Sequence, residues 1–146
     1  MKNSWILALI ILGLTFATSC KDDDGGSHKH SDGTFEYQAN IMSPDSEDKM
    51  VGDSIHLHIE FEEHAGQTIH HVNVKIYQKD DPTVIVYDKP TEAHVHETSG
   101  TYGYHDDFVL DNIPGHKNWI MEAKIWAEEE GKDEVVETIE FHVHPQ

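Results

Sequence analysis

From Thr34 onward, apolar and polar residues alternate in short runs, which is the pattern of a β-strand with one buried face. In residues 55–61 every second residue is apolar, and His56, His58 and Glu60 occupy the positions between them. No stretch repeats its apolar residues at the spacing of about 3.6 that an amphipathic helix requires. The pattern therefore predicts strands and no helix for this part of the chain.

Turn signals such as Asp111-Asn112-Ile113-Pro114-Gly115 separate the alternating runs. The predicted strands span residues 34–41, 55–61, 71–76, 83–87, 101–110, 119–127 and 135–144. Seven or eight short strands within residues 34–146 predict an all-β fold, an antiparallel immunoglobulin-like β-sandwich. Strand number alone leaves a small β-barrel as the alternative.

The first residues have a different pattern. An apolar run from Trp5 to Leu14 follows a lysine near the N-terminus and ends at small residues near Ala17. This run is shorter than the stretch of about 20 apolar residues that spans a bilayer as a helix. Its three parts are typical of a secretory signal peptide, which we assign to residues 1–19.

The residues at the end of this signal carry a resemblance. Ala17-Thr18-Ser19-Cys20 resembles the lipobox of bacterial lipoproteins, and the following Lys21-Asp22-Asp23-Asp24 resembles the surface-export signal of Bacteroidota lipoproteins. The resemblance implies that Cys20 is acylated, for example with palmitate, and becomes the first residue of a protein held at the outer membrane or cell surface. A periplasm-facing position and a plain signal peptide with an incidental Cys20 are the alternatives.

Residues 20–33 contain no apolar residue after the cysteine, and we interpret them as a flexible acidic tether. Residues 34–146 then form the folded domain. The stretch from Gly100 to Tyr104, entering a strand that precedes a Trp-rich strand, resembles immunoglobulin-like domains of secreted bacterial proteins, including the YtkA/FixH-like group. That resemblance implies the fold class and leaves the function open.

Charge excludes two classes of partner. The chain has 10 basic and 28 acidic residues, a formal net charge of −18. Such a surface repels nucleic acid and anionic lipid, so the acyl group must provide the membrane attachment. Cys20 is the only cysteine, and acylation leaves the mature fold without a disulfide.

Histidine is unusually frequent, with 13 residues in the chain. Four pairs have the spacing His-x-His, namely His28/His30, His56/His58, His94/His96 and His142/His144. In a strand, residues i and i+2 lie on the same face about 6.7 Å apart. Two such imidazoles can converge on one ion at metal–nitrogen distances of about 2.0–2.1 Å, and a neighbouring strand can supply further ligands.

The assumed topology selects candidates among these histidines. In an immunoglobulin-like sandwich the third long strand and the last two share a sheet. The primary metal-ligand candidates on that sheet are His71, His94, His96, His142 and His144. The secondary candidates are His56, His58, His70 and His105, with His56 and His58 expected beside His105 on the other sheet.

Imidazole with carboxylate and no thiolate favours Zn²⁺, Cu²⁺ or Ni²⁺ over Cu⁺. The sequence therefore predicts a lipid-anchored extracytoplasmic protein that binds a divalent transition metal for capture, delivery or sensing. Ordinary surface histidines and a pH-sensing cluster are alternative interpretations. The alternative function is an interaction or structural module that docks to an envelope protein or a glycan. No hydrolase, zinc-protease, phosphate-loop or dinucleotide motif is present, so we predict no enzymatic activity.

Overall fold

The computed structural model describes residues 36–89, 94–97, 100–127 and 133–146, without the side chains of residues 94, 96 and 97. The predicted signal peptide, Cys20 and the tether lie outside the described residues. The described residues form nine β-strands and no helix. The strands are β1 (Tyr37–Ser43), β2 (Lys49–Met50), β3 (Ser54–Glu63), β4 (Ile69–Gln78), β5 (Asp81–Lys89), β6 (His94–Glu97), β7 (Thr101–Val109), β8 (Lys117–Trp126) and β9 (Val135–His144).

These strands form two sheets. The three-stranded sheet has the order β1-β3-β7, and the six-stranded sheet has the order β2-β9-β8-β4-β5, with β6 also paired to β4. All pairings are antiparallel except that between β2 and β9, which is parallel. The predicted immunoglobulin-like β-sandwich is confirmed, and the third long strand does share a sheet with the last two. Two short strands, β2 and β6, add to the seven long ones that the pattern predicted.

The core lies between the two sheets, and the alternation along each strand places its apolar residues there. On β3 the inward residues Leu57, Ile59 and Phe61 are completely buried. Trp119 and Met121 on β8 face them from the six-stranded sheet and are equally buried. Each side chain of this size stabilises the fold by about 1.5–3 kcal/mol through burial. The polar residues between them, including most histidines, lie on the two outer faces.

One polar cluster joins the sheets at their edge. Tyr87 on β5 hydrogen-bonds the hydroxyl of Tyr104 on β7, and it donates to Oδ2 of Asp106 at 2.6 Å. Lys89 donates to the same carboxylate at 3.2 Å. Burial, followed by the hydrogen bond to Asp106, raises the pKa of Tyr87 far above its usual value, whereas that hydrogen bond lowers the pKa of Asp106. The phenol therefore stays neutral, and the carboxylate stays charged at neutral pH.

Among the described residues no helix is long and apolar enough to cross a membrane.

Candidate metal site

Three histidines meet at one end of the six-stranded sheet. His142 and His144 lie near the end of β9, and His116 immediately precedes β8. Because β8 and β9 are antiparallel, the start of β8 lies beside the end of β9, and Lys117 pairs with Val143. The amide of His116 donates to the carbonyl of Val143 at 2.7 Å, which continues the ladder by one residue. His116 therefore lies next to His144.

The turn before β8 fixes this position. His116 has a φ of 57°, in the left-handed region that ordinary residues rarely adopt. Gly115 packs so closely on the chain beyond β9 that a Cβ there would lie 2.8 Å from the nitrogen of Pro145. A glycine is required at this point because the two backbones approach each other directly. The close approach holds the turn against the end of β9.

The three side chains are near enough to share one ion. Each offers a nitrogen, and the three nitrogens lie within 4.8 Å of one another. The ring centres are separated by 4.6 Å for His142 and His144, 6.1 Å for His116 and His144, and 6.5 Å for His116 and His142. Imidazoles bound to one ion at about 2.1 Å have ring centres about 4.5–5.5 Å apart. One pair already meets this spacing, and the other two require closure by about 1 Å.

A chain of hydrogen bonds orients His142. Its Nδ1 bonds Oδ1 of Asn118 at 2.5 Å, while the amide nitrogen of Asn118 donates to Glu140 at 2.8 Å. Lys79 in turn donates to the other oxygen of Glu140 at 2.6 Å. Because the carboxylate fixes which end of the amide faces the ring, Nδ1 must carry the proton. Nε2 of His142 is left with a lone pair, the form that binds a metal.

His144 has its own orienting group. Its Nε2 donates to Oδ2 of Asp48 at 3.0 Å. Asp48 directly precedes β2. This hydrogen bond is the largest cause that lowers the pKa of the Asp48 carboxyl, and the charges of His144 and His142 act in the same direction. This hydrogen bond leaves Nδ1 of His144 with a lone pair, the form that binds a metal. A carboxylate behind a ligating imidazole raises the basicity of that ligand.

The expected convergence of all five primary candidates is wrong. On β8 the partner of His71 is Trp126, whereas the partner of His142 is Asn118. The stretch of β8 between these partners measures about 27 Å at about 3.4 Å per residue. His71 therefore lies on the same face as His142 and His144 but at the opposite end of the sheet.

His71 has contacts of its own at that end. Its ring stacks on Trp126 with ring centres 5.2 Å apart and planes 12° from parallel. Its Nδ1 hydrogen-bonds the carbonyl of Ala127. The ammonium nitrogen of Lys124 lies over the ring of Trp126, 5.1 Å from the ring centre. These contacts indicate a packing role for His71.

The other predicted ligands form three sets. The backbone of His94 pairs with that of His71, while the side chains of His94 and His96 lie outside the described residues, so a metal role for them stays a prediction. His70 precedes His71 on β4, where the pairing with β6 is irregular, and their ring centres are 6.1 Å apart. On the other sheet, His56, His58 and His105 do lie together, with ring centres 4.2–6.4 Å apart.

His116 is not among the ligands that the sequence predicted. A usable signal was present, because Pro114-Gly115 marks a turn directly before a predicted strand. Once the last two long strands are antiparallel neighbours, the residue that starts one must lie beside the residue that ends the other. His144 ends β9, and His116 lies one residue before the start of β8.

The chain matches no protein-family model and no curated protein. Solved structures resemble it in fold. A CARDB domain from Pyrococcus furiosus, solved in complex with di-metal ions, superposes with a TM-score of 0.52 at 8% identity, covering 80% of this chain and 99% of that one. The sporulation control protein Spo0M of Bacillus subtilis superposes with a TM-score of 0.50 at 9% identity, covering 77% of this chain and 50% of that one. At such low identity these likenesses establish the sandwich fold alone.

Proposed function

We propose that this protein binds a divalent transition metal through His116, His142 and His144. The observation that carries the proposal is the approach of their three nitrogens to within 4.8 Å of one another. The orienting contacts of His142 and His144 support it, since each contact leaves one ring nitrogen with a lone pair. Three protein ligands leave a further coordination position for water, a buffer ligand or a receiving protein.

The donor set limits the ion. Three imidazoles, one of them backed by the carboxylate of Asp48, suit Zn²⁺, Cu²⁺ or Ni²⁺, whereas Ca²⁺ and Mg²⁺ prefer oxygen ligands. An exposed His116 and half-buried His142 and His144 give the ion an open path to solvent. The arrangement fits capture, delivery or sensing of a metal, with no catalytic step assigned to it.

The cellular setting is a further part of the proposal and rests on Ala17-Thr18-Ser19-Cys20 and the acidic residues after it. Acylation of Cys20 would hold the domain at the outer membrane or cell surface. Metabolic labelling with a palmitate analogue, followed by membrane fractionation, tests this setting. We expect label and membrane association in the natural chain and neither in Cys20→Ala; labelled Cys20→Ala would contradict the assignment.

Metal binding is tested by equilibrium dialysis of the full chain, purified in mild detergent, against Zn²⁺, Cu²⁺ and Ni²⁺. The test variant is His116→Asn with His142→Gln, because asparagine tolerates the left-handed backbone and glutamine retains a donor for the orienting amide. The control, His64→Gln with His70→Gln, removes two imidazoles outside the cluster. We expect the test variant to lose one bound ion and the control to lose none. Equal binding by both variants would refute the site.

The interaction module remains the second candidate. It is favoured by the position of His71, which lies far from His142 and His144 along the sheet. If dialysis detects no bound ion in the natural chain, docking to an envelope protein or a glycan becomes the better account of the domain.

A further inference from the structure

A second group of histidines lies on the outer face of the other sheet. His56 and His58 are two residues apart on β3 and so lie on one face. The register between β3 and β7 places His105 directly opposite His58, and Asp107 directly opposite His56. Four potential metal ligands thus form two residue pairs on the same face of β3 and β7, separated by one pair that faces the other side.

The ring-centre distances within this group are similar to those of the first site, although among the described residues only the first site brings three ligand nitrogens within 4.8 Å of one another. The ring centres of His58 and His105 are 4.2 Å apart, those of His56 and His105 are 5.7 Å apart, and those of His56 and His58 are 6.4 Å apart. A shared ion requires separations of about 4.5–5.5 Å. The widest pair must close by about 1 Å, as in the first site. Side chains on an open sheet face can make that movement by rotating about χ1 and χ2.

Neighbouring groups prepare the site. Nδ1 of His56 donates to Oδ1 of Asp107 at 2.8 Å, which leaves Nε2 with the lone pair. Glu60 lies 3.9 Å from Nε2 of His58 and adds negative charge beside it. Gly103 has no side chain beside His105, where a Cβ would lie 3.6 Å from the ring. Because Gly103 pairs with Glu60, it lies on the side of His105 away from His56, and the ring must turn away from this glycine to share an ion.

We propose that His56, His58 and His105 form a second site for a divalent transition metal, independent of the first. Binding replaces the stacking of His58 on His105 with coordination of both rings to one ion. The class of ion is again Cu²⁺, Ni²⁺ or Zn²⁺, since the donors are imidazoles. The two sites lie on opposite faces of the sandwich. Because packed sheets are about 10 Å apart and each ion lies outside its sheet, the ions would be separated by on the order of 20 Å.

Stoichiometry distinguishes the two sites. In equilibrium dialysis of the full chain with Cu²⁺, we expect the variant His58→Gln with His105→Gln to bind one ion fewer than the natural chain. The first-site variant, His116→Asn with His142→Gln, also loses one ion, and the four substitutions together lose two. The control with His64→Gln and His70→Gln loses none. A His58/His105 variant that retains every ion would overturn this inference without affecting the first site.

A distance measurement locates the second ion. Pulsed dipolar electron paramagnetic resonance of the doubly loaded chain should give a Cu²⁺–Cu²⁺ distance on the order of 20 Å, and this signal should vanish in either variant. Persistence of the same distance in the His58/His105 variant would place the second ion elsewhere and refute the proposal. Thermal unfolding without metal serves as the folding check. We expect little change, because His58 exposes 30% of its side chain and His105 is exposed.

Discussion

Replacing Gly115 with alanine should damage both the stability of the sandwich and its first metal site. The new Cβ would lie 2.8 Å and 2.9 Å from the nitrogen and Cα of Pro145. Ordinary contacts between such atoms are about 3.5–4.0 Å, so the two backbones must separate by about 0.7–1 Å. Because Pro145 directly follows His144, the separation moves His144 away from His116. We expect a loss of about 1–2 kcal/mol from overpacking, at the lower end because a strand terminus can yield.

Two measurements follow from this estimate. For a domain of this size, a loss of 1–2 kcal/mol lowers the Tm by about 4–8 °C, measured by circular dichroism. A ligand displacement that costs about 1.4 kcal/mol weakens Zn²⁺ binding about tenfold, measured by calorimetry in a His58→Gln, His105→Gln background.

Gly103→Ala is the matched control for this substitution. Its Cβ would meet only the ring of His105, at 3.6 Å and 3.9 Å, which are ordinary contacts. We expect Gly103→Ala to leave the Tm and the Zn²⁺ affinity of the first site unchanged, or to raise the stability slightly, by about 0.4–1 kcal/mol. If Gly115→Ala behaves like Gly103→Ala, the close approach does not hold the site together.

Two further predictions concern the polar networks. Asn118→Ala should weaken metal binding about 10–100-fold, measured by calorimetry, because its amide holds the imidazole of His142 in one tautomer and orientation. The control is Asn40→Ala, whose amide bonds Glu62 on the other sheet, and it should show no such loss. Asp106→Asn should lower stability at pH 7 by about 1–2 kcal/mol through weaker bonding to Tyr87. The pKa of Asp106 lies below its unfolded value of 3.8, so its contribution is complete above about pH 5 and is lost as the pH falls through the folded pKa. Chemical denaturation at several pH values should therefore show a smaller acid loss in Asp106→Asn than in the natural chain or in the control Asp111→Asn.

The sequence predicted the fold well because alternation reports directly on burial. Residues such as Leu57 and Trp119 have no exposed surface, and each is followed and preceded by residues directed outward. Period-two patterns located five of the seven long strands, and apolar runs located the other two, at residues 83–87 and 119–127. The short strands β2 and β6 carry too few residues for any pattern, and their pairing depends on neighbouring strands that are distant along the chain.

The candidate site was predicted only in part. The alternation of polar and apolar residues gives the face on which a residue lies, but not its position along the strand direction relative to neighbouring strands. His71 and His142 were correctly placed on one face, yet antiparallel register places them at opposite ends. His58 and His105 were expected to be neighbours, and they are paired residues on adjacent strands. His116 required both a turn position and a register, neither of which composition or spacing supplies.

The most direct test of the central claim is a crystal of the protein grown with Zn²⁺, with diffraction recorded on both sides of the zinc absorption edge. We predict an anomalous peak at about 2.0–2.1 Å from one nitrogen each of His116, His142 and His144. A crystal that contains zinc but has no peak among these three residues would contradict it.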